Sequence, residues 1–220
     1  MKVKDRMSKE AKTVGMETSL TEAFRIMKEN GIRRLPVMNK EKLVGIVTLS
    51  DLNQASPSSA TSLSIHELNY LLARTKIKDI MPKKQRLLTI GPENYIETAA
   101  KVMRANKISG LPVVDNGRLL GMITETDIFD ALIDILGVKT VHSRIDFYVK
   151  ERPGSMAEVT GLIGEKGINI LNTVMYFDEK KNRYKMILRI EEMNNGPIVE
   201  ELKARGYEVE SVIVSQGEEE

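Results

Sequence analysis

The stretch GIVTLSD (Gly45–Asp51) returns as GMITETD (Gly121–Asp127), 76 positions later (121 − 45 = 76). The same shift relates RRLPVM (Arg33–Met38) to SGLPVV (Ser109–Val114). Similarity at a fixed spacing marks a repeated structural unit. The chain therefore contains two copies of one unit, and the Thr-x-x-Asp motif closes the quoted stretch in both copies.

Each copy has the same order of predicted elements. A helix with one apolar face is followed by a Leu-Pro-Val strand, a short turn, and a second apolar strand that leads through Thr-x-x-Asp into another helix. With a short strand before the first helix, each copy reads βαββα, and we expect the two sheets to pack together because neither copy can cover its own sheet. The apolar helix faces are Leu20, Ala23, Phe24 and Met27 in the first copy and Ile96, Ala99, Ala100 and Met103 in the second.

The ends of the first helix in each copy carry local signals. Ser19 with Glu22, and Asn94 with Glu97, have the spacing of a capping box, in which two side chains satisfy free backbone groups at a helix start. Gly31 is placed to end the helix of the first copy. These signals predict where each helix begins and where the first one stops.

An opening motif precedes each copy, and a linker separates the copies. VKDRM (Val3–Met7) returns as IKDIM (Ile77–Met81) at a shift of 74 (77 − 3 = 74), so two residues were gained before the second helix. The Ser-rich stretch around Pro57 is typical of an exposed turn and leads into a helical pattern. We therefore predict three segments: a first copy at 1–56, a linker with a helix at 57–76, and a second copy at 77–137.

The pattern changes over residues 143–220. Ile145, Phe147 and Val149 alternate as in a strand, and RPGS (Arg152–Ser155) predicts a turn before a helix. Two further strands, a helix and a last strand follow. The order βαββαβ is that of the ferredoxin-like split fold, so the whole chain is predicted to be α+β.

Composition excludes several classes of protein. Of 220 residues, 41% are hydrophobic and 29% are charged, and the formal charge is +2, which favours a soluble protein without a nucleic-acid surface. No apolar run reaches the ~18 to 20 residues of a membrane span, and MKVKDRMSKE lacks a signal-peptide core, so we expect a cytoplasmic protein. The chain has no cysteine and two histidines, no nucleophile paired with a base and no Walker-type loop, and we expect neither a metal site nor catalysis.

The motifs resemble known domain families. Residues 1–136 resemble a tandem pair of cystathionine-β-synthase (CBS) domains, the Bateman module. The resemblance lies in the LPVM and LPVV strands and in the motif Gly-h-h-Thr-x-x-Asp, where h is a hydrophobic residue, in both copies. Residues 143–220 resemble an ACT domain through KERPGSMAEVTGLIGEKGINI (Lys150–Ile170). The combination is similar to the acetoin-utilisation protein B family of bacteria and archaea. The resemblance implies a CBS pair of two βαββα units followed by a ferredoxin-like βαββαβ ACT domain.

The CBS resemblance implies two adenosine sites between the copies. In each site a carboxylate accepts hydrogen bonds from both ribose hydroxyls, neighbouring hydroxyls approach the ribose or first phosphate, and the adenine lies against the opposite copy. The implied ligand is AMP, ADP or ATP, with S-adenosylmethionine or NAD as alternatives. The first site would comprise Arg33, Arg34, Thr48, Ser50, Asp51 and Ile108. The second site would comprise Ile32, Ser109, Thr124, Thr126 and Asp127.

The two sites differ in charge. Arg33 and Arg34 would flank the phosphate of the Asp51 site, whereas the second copy has Ser109 and Gly110 at the matching positions and gains Glu125. A carboxylate repels a polyphosphate. We therefore expect the more phosphorylated ligand at the Asp51 site. An alternative stays open for both motifs, because Thr-x-x-Asp is also a good helix cap worth about 1 kcal/mol without any ligand.

The ACT resemblance implies a small effector, often an amino acid, at an interface between two such domains. Gly154 would let its backbone approach the ligand, although it also fits a simple tight turn. Asn169 matches a position whose amide can hold an amino acid, whereas Val149 and Glu151 differ from the groups of serine-binding relatives. The alternative is that this domain only dimerises.

Two functions follow from the resemblance. The first is a non-catalytic regulatory sensor, a homodimer in which adenosine nucleotides control an unidentified partner protein, in acetoin or central carbon metabolism. The second is a structural or assembly protein that uses both folds for dimerisation. No helix-turn-helix or basic stripe supports a DNA-binding role.

Overall fold

The computed structural model describes residues 1–57, 64–81 and 86–216. The chain divides into two compact units, Met1–Ile128 and Phe129–Glu220. Within the described ranges, no helix has the length and apolar character needed to cross a membrane.

The first unit contains two three-stranded sheets, one from each copy. Their strand orders are β2-β3-β4 and β1-β6-β5. The predicted apolar helix faces are confirmed, since Leu20, Ala23 and Met27 and their counterparts in the second copy are buried. The elements are β1 Ser8–Lys9, β2 Val14–Gly15, α1 Leu20–Glu29, β3 Arg34–Asn39, β4 Lys42–Thr48, α2 Leu49–Ala55, α3 Ile65–Arg74, α4 Ile77–Ile80, α5 Ile96–Asn106, β5 Gly110–Asp115, β6 Arg118–Thr124 and α6 Glu125–Leu136, of which residues 129–136 belong to the second unit.

The opening motifs are exchanged between the copies. The N–H of Val3 donates to the carbonyl of Asn94 at 2.8 Å, and β1 pairs antiparallel with β6 of the second copy. Conversely, the N–H of Ile77 donates to the carbonyl of Thr18 at 2.9 Å, and Ile77 is fully buried in the core of the first copy. Each opening motif therefore completes the copy to which it does not belong in sequence.

The start of the first helix differs between the copies. Ser19 caps α1 by accepting the N–H of Glu22 at 3.2 Å, while the Glu22 carboxylate binds Arg25. The capping box predicted at Asn94 is wrong. Tyr95 holds the N-cap position of α5 without a side-chain bond, and Asn94 donates to a carbonyl of the preceding turn. The reason is the repeat register, because Tyr95 lies 76 residues after Ser19.

The first helix of both copies ends in a left-handed residue. Gly31 adopts φ +62° and confirms the predicted stop of α1. At the equivalent position the second copy has Lys107, with φ +53°. In both copies the next residue closes the same turn, since the N–H of Ile32 donates to Met27 and that of Ile108 to Met103. The shared turn sets where the chain enters β3 and β5.

The second unit has the predicted βαββαβ order. Its four strands form one antiparallel sheet in the order β10-β7-β9-β8. Ile145, Phe147 and Val149 of β7 are buried under two helices, and the ring of Phe147 meets Tyr207 edge to face at 5.7 Å. The elements are β7 His142–Val149, α7 Ser155–Glu165, β8 Ile170–Asp178, β9 Arg183–Ile190, α8 Gly196–Ala204 and β10 Glu208–Ser215.

Candidate functional site

Both Thr-x-x-Asp motifs form helix caps. Oδ2 of Asp51 accepts the backbone N–H and the hydroxyl of Thr48, each at 2.7 Å, at the start of α2. Asp127 accepts the same two bonds from Thr124 at the same distances, at the start of α6. In return each threonine Oγ1 accepts the N–H of its aspartate, at 3.3 and 3.4 Å. The helix-cap interpretation of the repeated motif is therefore confirmed.

The cap occupies one oxygen of each carboxylate. All four bonds end on Oδ2, and among the described residues Oδ1 of Asp51 and of Asp127 has no hydrogen-bond partner. An ionised carboxylate offers about four acceptor positions over its two oxygens. Both aspartates are partly exposed. We call each Thr-x-x-Asp motif at its strand-to-helix junction a corner. The aspartate of each corner can therefore cap its helix and still accept hydrogen bonds from a ligand.

A cavity of about 420 Å³ lies at the Asp127 corner. It brings together four of the five residues predicted for the second site and leaves out Ser109. Arg33 and Arg34, predicted for the first site, also line this cavity. Residues 8–12, which follow the first opening motif, line it as well. The four residues are Ile32, Thr124, Thr126 and Asp127.

A smaller cavity of about 230 Å³ lies beside the Asp51 corner. Of the residues predicted for the first site, Arg34, Thr48 and Ile108 line it, and Arg33, Ser50 and Asp51 do not. The 76-residue shift maps much of this lining onto the Asp127 cavity, so the two cavities are equivalent. Its other lining residues are Ile46, Arg86, Leu87, Leu88, Lys107, Ser109 and Gly110.

A third cavity, of about 710 Å³, lies between the two corners, and we call it the central cavity. It contains side chains from both Thr-x-x-Asp motifs, including predicted residues of both sites. The cavity is therefore rich in hydroxyl and guanidinium donors. Its lining residues are Arg33, Arg34, Thr48, Leu49, Ser50, Asn53, Gln54, Ser109, Glu125 and Thr126.

Arg34 crosses from the first copy to the second. Its Nη2 donates to Oγ of Ser109, and a Cβ added at Gly110 would lie 2.8 Å from its Nη1. Partial burial lowers the pKa of the Arg34 guanidinium, and repulsion from Arg33 acts in the same direction. Glu125 and Asp127 oppose this effect on the pKa. The guanidinium of Arg34 is therefore partly buried, with a second guanidinium and two carboxylates near it.

The motifs did not predict that the segment before the first helix of each copy lines a cavity. Glu10 and Lys12 line the Asp127 cavity, whereas Arg86 and Leu88, 76 residues later, line the Asp51 cavity. Their equivalence could have been found by extending the repeat register upstream of each helix. The Asp51 cavity has the more apolar wall as a result.

The residues predicted for the ACT effector lie apart. Gly154, with φ +90°, lines a cavity of about 400 Å³ at the start of α7, together with Val149, Met156 and Met175. Asn169 does not line this cavity, and its amide donates to the Glu191 carboxylate at 3.0 Å. Lys150, Glu151 and Arg152 also line this cavity, so its wall combines apolar and charged residues.

Models of two domain families match the chain. The CBS domain model matches residues 3–58 and 77–134, more than half of the chain. The chain belongs to the CBS domain family. In this CBS protein the ACT domain model matches residues 143–207. Both domain types inferred from the motifs are thereby confirmed, as is the mixed α+β fold.

Similar proteins extend the match of this CBS protein. A CBS domain-containing protein of Dictyostelium discoideum is 38% identical over 136 residues, 61% of this chain and 92% of that protein. A protein of Vibrio cholerae assigned to acetoin utilization (AcuB) has a crystal structure with 28% identity and a TM-score of 0.51, covering 63% of this chain and 94% of that one. The CBS domain pair of protein MJ0100, in complex with 5′-methylthioadenosine and S-adenosyl-L-methionine, is 30% identical with a TM-score of 0.49, covering 60% of this chain and 95% of that one.

Proposed function

We propose that this CBS protein is a non-catalytic regulatory sensor that binds adenosine ligands between its two repeats. One observation carries the proposal: in both Thr-x-x-Asp corners one carboxylate oxygen caps a helix and the other has no partner among the described residues. A ribose presents two hydroxyl donors at the spacing of a carboxylate, and charge-assisted bonds of this kind are about twice as strong as neutral ones.

The cavities suit an adenosine ligand on both sides of the ribose. Beside the Asp51 corner, Ile46, Ile108 and Leu88 supply apolar wall for a purine base. On the other side, the central cavity supplies Arg33 and Arg34 for a phosphate. AMP, ADP and ATP carry this combination of groups, and S-adenosylmethionine and NAD share the adenosine part. The ligand class is therefore adenosyl compounds.

Binding becomes a signal if the ligand prefers one arrangement of the two copies. A differential affinity of ~1 to 3 kcal/mol is enough for a useful shift. Residues of both copies line each outer cavity and the central cavity, so occupancy bears on how the copies pack. We propose that a cytoplasmic homodimer passes this change through its ACT domains to a partner protein, in acetoin or central carbon metabolism.

The ACT domain offers a second effector site. The cavity at Gly154 has apolar walls from Val149, Met156 and Met175. We propose a small amino acid as its ligand, with its charged backbone groups at the start of α7. Asn169 lies outside this cavity, and we propose that it reaches the effector from the second domain of an ACT dimer.

Thermal shift with a panel of adenosyl compounds and the twenty amino acids tests the proposal. A ligand present at 100 times its dissociation constant adds about 2.7 kcal/mol to the free energy of unfolding. We expect adenosine nucleotides to raise the melting temperature of the full chain, and Asp51→Ala with Asp127→Ala to abolish the rise. Unchanged melting temperatures across the adenosyl compounds would contradict the proposal.

An assembly protein without a ligand is the second candidate function. It is favoured by the caps themselves, because both aspartates already satisfy the free N–H groups of Thr48 and Thr124. On this account Arg34 only ties the copies together through Ser109. Light scattering that gives a dimer, combined with no thermal shift from any adenosyl compound, would select it.

A further inference from the structure

We infer that the central cavity is one phosphate site that both outer cavities share through Arg34, so that each chain holds one phosphate-bearing adenosine ligand at a time. The inference rests on the proposed function, since it concerns the ligands of the same two corners. It replaces the expectation that the two arginines serve the Asp51 site alone.

Arg34 lines all three cavities. Arg33 lines the central and Asp127 cavities, and Ser109 lines the central and Asp51 cavities. Arg34 donates to Ser109, which places its guanidinium between the two corners. A phosphate extending from either ribose toward the central cavity would therefore meet the same cation.

The contact between Arg34 and Gly110 explains why Arg34 has no counterpart in the second copy. The two residues hold equivalent positions (110 − 34 = 76), and equivalent positions touch where the axis relating two copies passes between them. The stem of Arg34 lies across Gly110, with Cδ 3.1 Å from an added Cβ. A second arginine would occupy the space of the first. The sequence difference at this position thus leaves Arg34 as the guanidinium that lines both outer cavities.

The lining of the central cavity has a net charge of +1 (two arginines and one glutamate, 2 − 1 = 1), which is less than the charge of about −1.5 to −2 on one phosphate monoester at pH 7. Arg33 and Arg34 are its cations, and Glu125 is an anion on the same wall. Lys12 and Lys107 line the outer cavities and do not line the central one. Two phosphates confined there would lie within about one Debye length of each other, roughly 10 Å at 0.1 M salt, and would repel without screening. Neutral adenosine meets no such repulsion at the second corner.

Titration calorimetry with adenosine and with AMP tests the inference on the full chain. We expect two adenosine molecules per chain, and one AMP that binds at least about tenfold more tightly than a second. Arg34→Ala should lower the ratio of AMP affinity to adenosine affinity about tenfold, the effect of losing a charged hydrogen-bond donor to the phosphate. Arg118→Ala is the matched control, because Arg118 lines a different cavity. Arg34→Gln keeps most of the stem over Gly110 and should behave like Arg34→Ala.

The outcomes separate the inference from the function. Two AMP molecules of equal affinity in the unaltered protein would overturn the shared site while supporting the adenosine sites. An unchanged ratio of AMP to adenosine affinity in folded Arg34→Gln would do the same. Failure of adenosine and AMP to bind at all would overturn the proposed function and this inference with it.

Discussion

The guanidinium of Arg34 lies over Gly110, the residue that holds the same position in the second repeat. Two identical repeats could not make this contact, because an arginine at both positions would demand the same space. The pair therefore marks a point where the two repeats differ both in sequence and in contacts. It also connects the two corners, since Ser109 next to Gly110 accepts a hydrogen bond from Arg34.

Gly110→Ala should displace Arg34 with little cost to folding. The added Cβ would lie 2.8 Å from Nη1, which is the mobile end of a long side chain. We expect the AMP affinity to fall several-fold and the urea midpoint to change little. The control is a double-mutant cycle with Arg34→Ala, in which the alanine at 110 should have no further effect on AMP binding. Additive losses would show that Gly110 acts in some other way.

Gly121→Ala should lower the stability of the fold, whereas Gly110→Ala should lower AMP affinity. Its Cβ would lie 2.2 Å from the backbone carbonyl of Ser8, which cannot rotate away. We expect the free energy of unfolding to fall by about 1 to 3 kcal/mol, as for other overpacked sites, because β1 must separate from β6. Gly161→Ala is the matched control, since its helical site has open space and alanine should stabilise it by about 0.5 to 1 kcal/mol. Equal urea midpoints for the two variants would count against the exchanged strand.

Asp51→Asn should separate the cap from the ribose contact. Asparagine still offers one oxygen to Thr48 but loses the charge, so we expect most of the stability to remain while adenosine affinity falls about tenfold. Asp51→Ala should also lose about 1 kcal/mol of stability with the cap. Glu67→Ala is the control, because Glu67 caps α3 through Ser64 in the same geometry. Loss of adenosine binding in Glu67→Ala would indicate a general effect of cap removal.

Acid should weaken one attachment of the opening motif to the second copy, the ion pairs of Glu93. Lys2 and Lys4 lie 2.7 and 2.6 Å from the Glu93 carboxylate and lower its pKa from 4.5 to about 2. A carboxyl group whose pKa is lower in the folded protein than in the unfolded protein stabilises the fold at pH values above its unfolded-state pKa. That contribution is lost as the pH falls through its folded-state pKa. We expect Glu93→Gln to melt slightly below the unaltered protein at pH 7, with a difference that shrinks as the pH falls from 4.5 toward 2 and closes below that value. A difference that does not shrink below pH 4.5 would rule out the ion pair as its cause.

The repeats and the ACT domain were predictable because their signals are local. Leu-Pro-Val strands, Thr-x-x-Asp corners and the alternation of Ile145, Phe147 and Val149 each depend on residues close in sequence. The cap at Asp51 and the stop at Gly31 are of the same kind. Pattern and spacing therefore sufficed for the elements and their order.

The exchange of the opening motifs was not predictable in this way. The sequence VKDRM (Val3–Met7) does not predict that its backbone will bind Asn94, because that contact depends on how the two copies pack. The same limit applies to Arg34, whose reach to Ser109 depends on the absence of a side chain at Gly110. Each contact between the two copies depends on two residues far apart in sequence. A motif in one copy identifies only one of them, so it does not predict the contact.

Calorimetric titration of adenosine into the full chain tests the central claim most directly. The account predicts two binding events per chain in the unaltered protein, one event in Asp51→Ala and in Asp127→Ala, and none in the double variant. The reason is that Oδ1 of each aspartate has no hydrogen-bond partner within residues 1–57, 64–81 and 86–216. Binding heats that are the same in the double variant as in the unaltered protein would contradict the account.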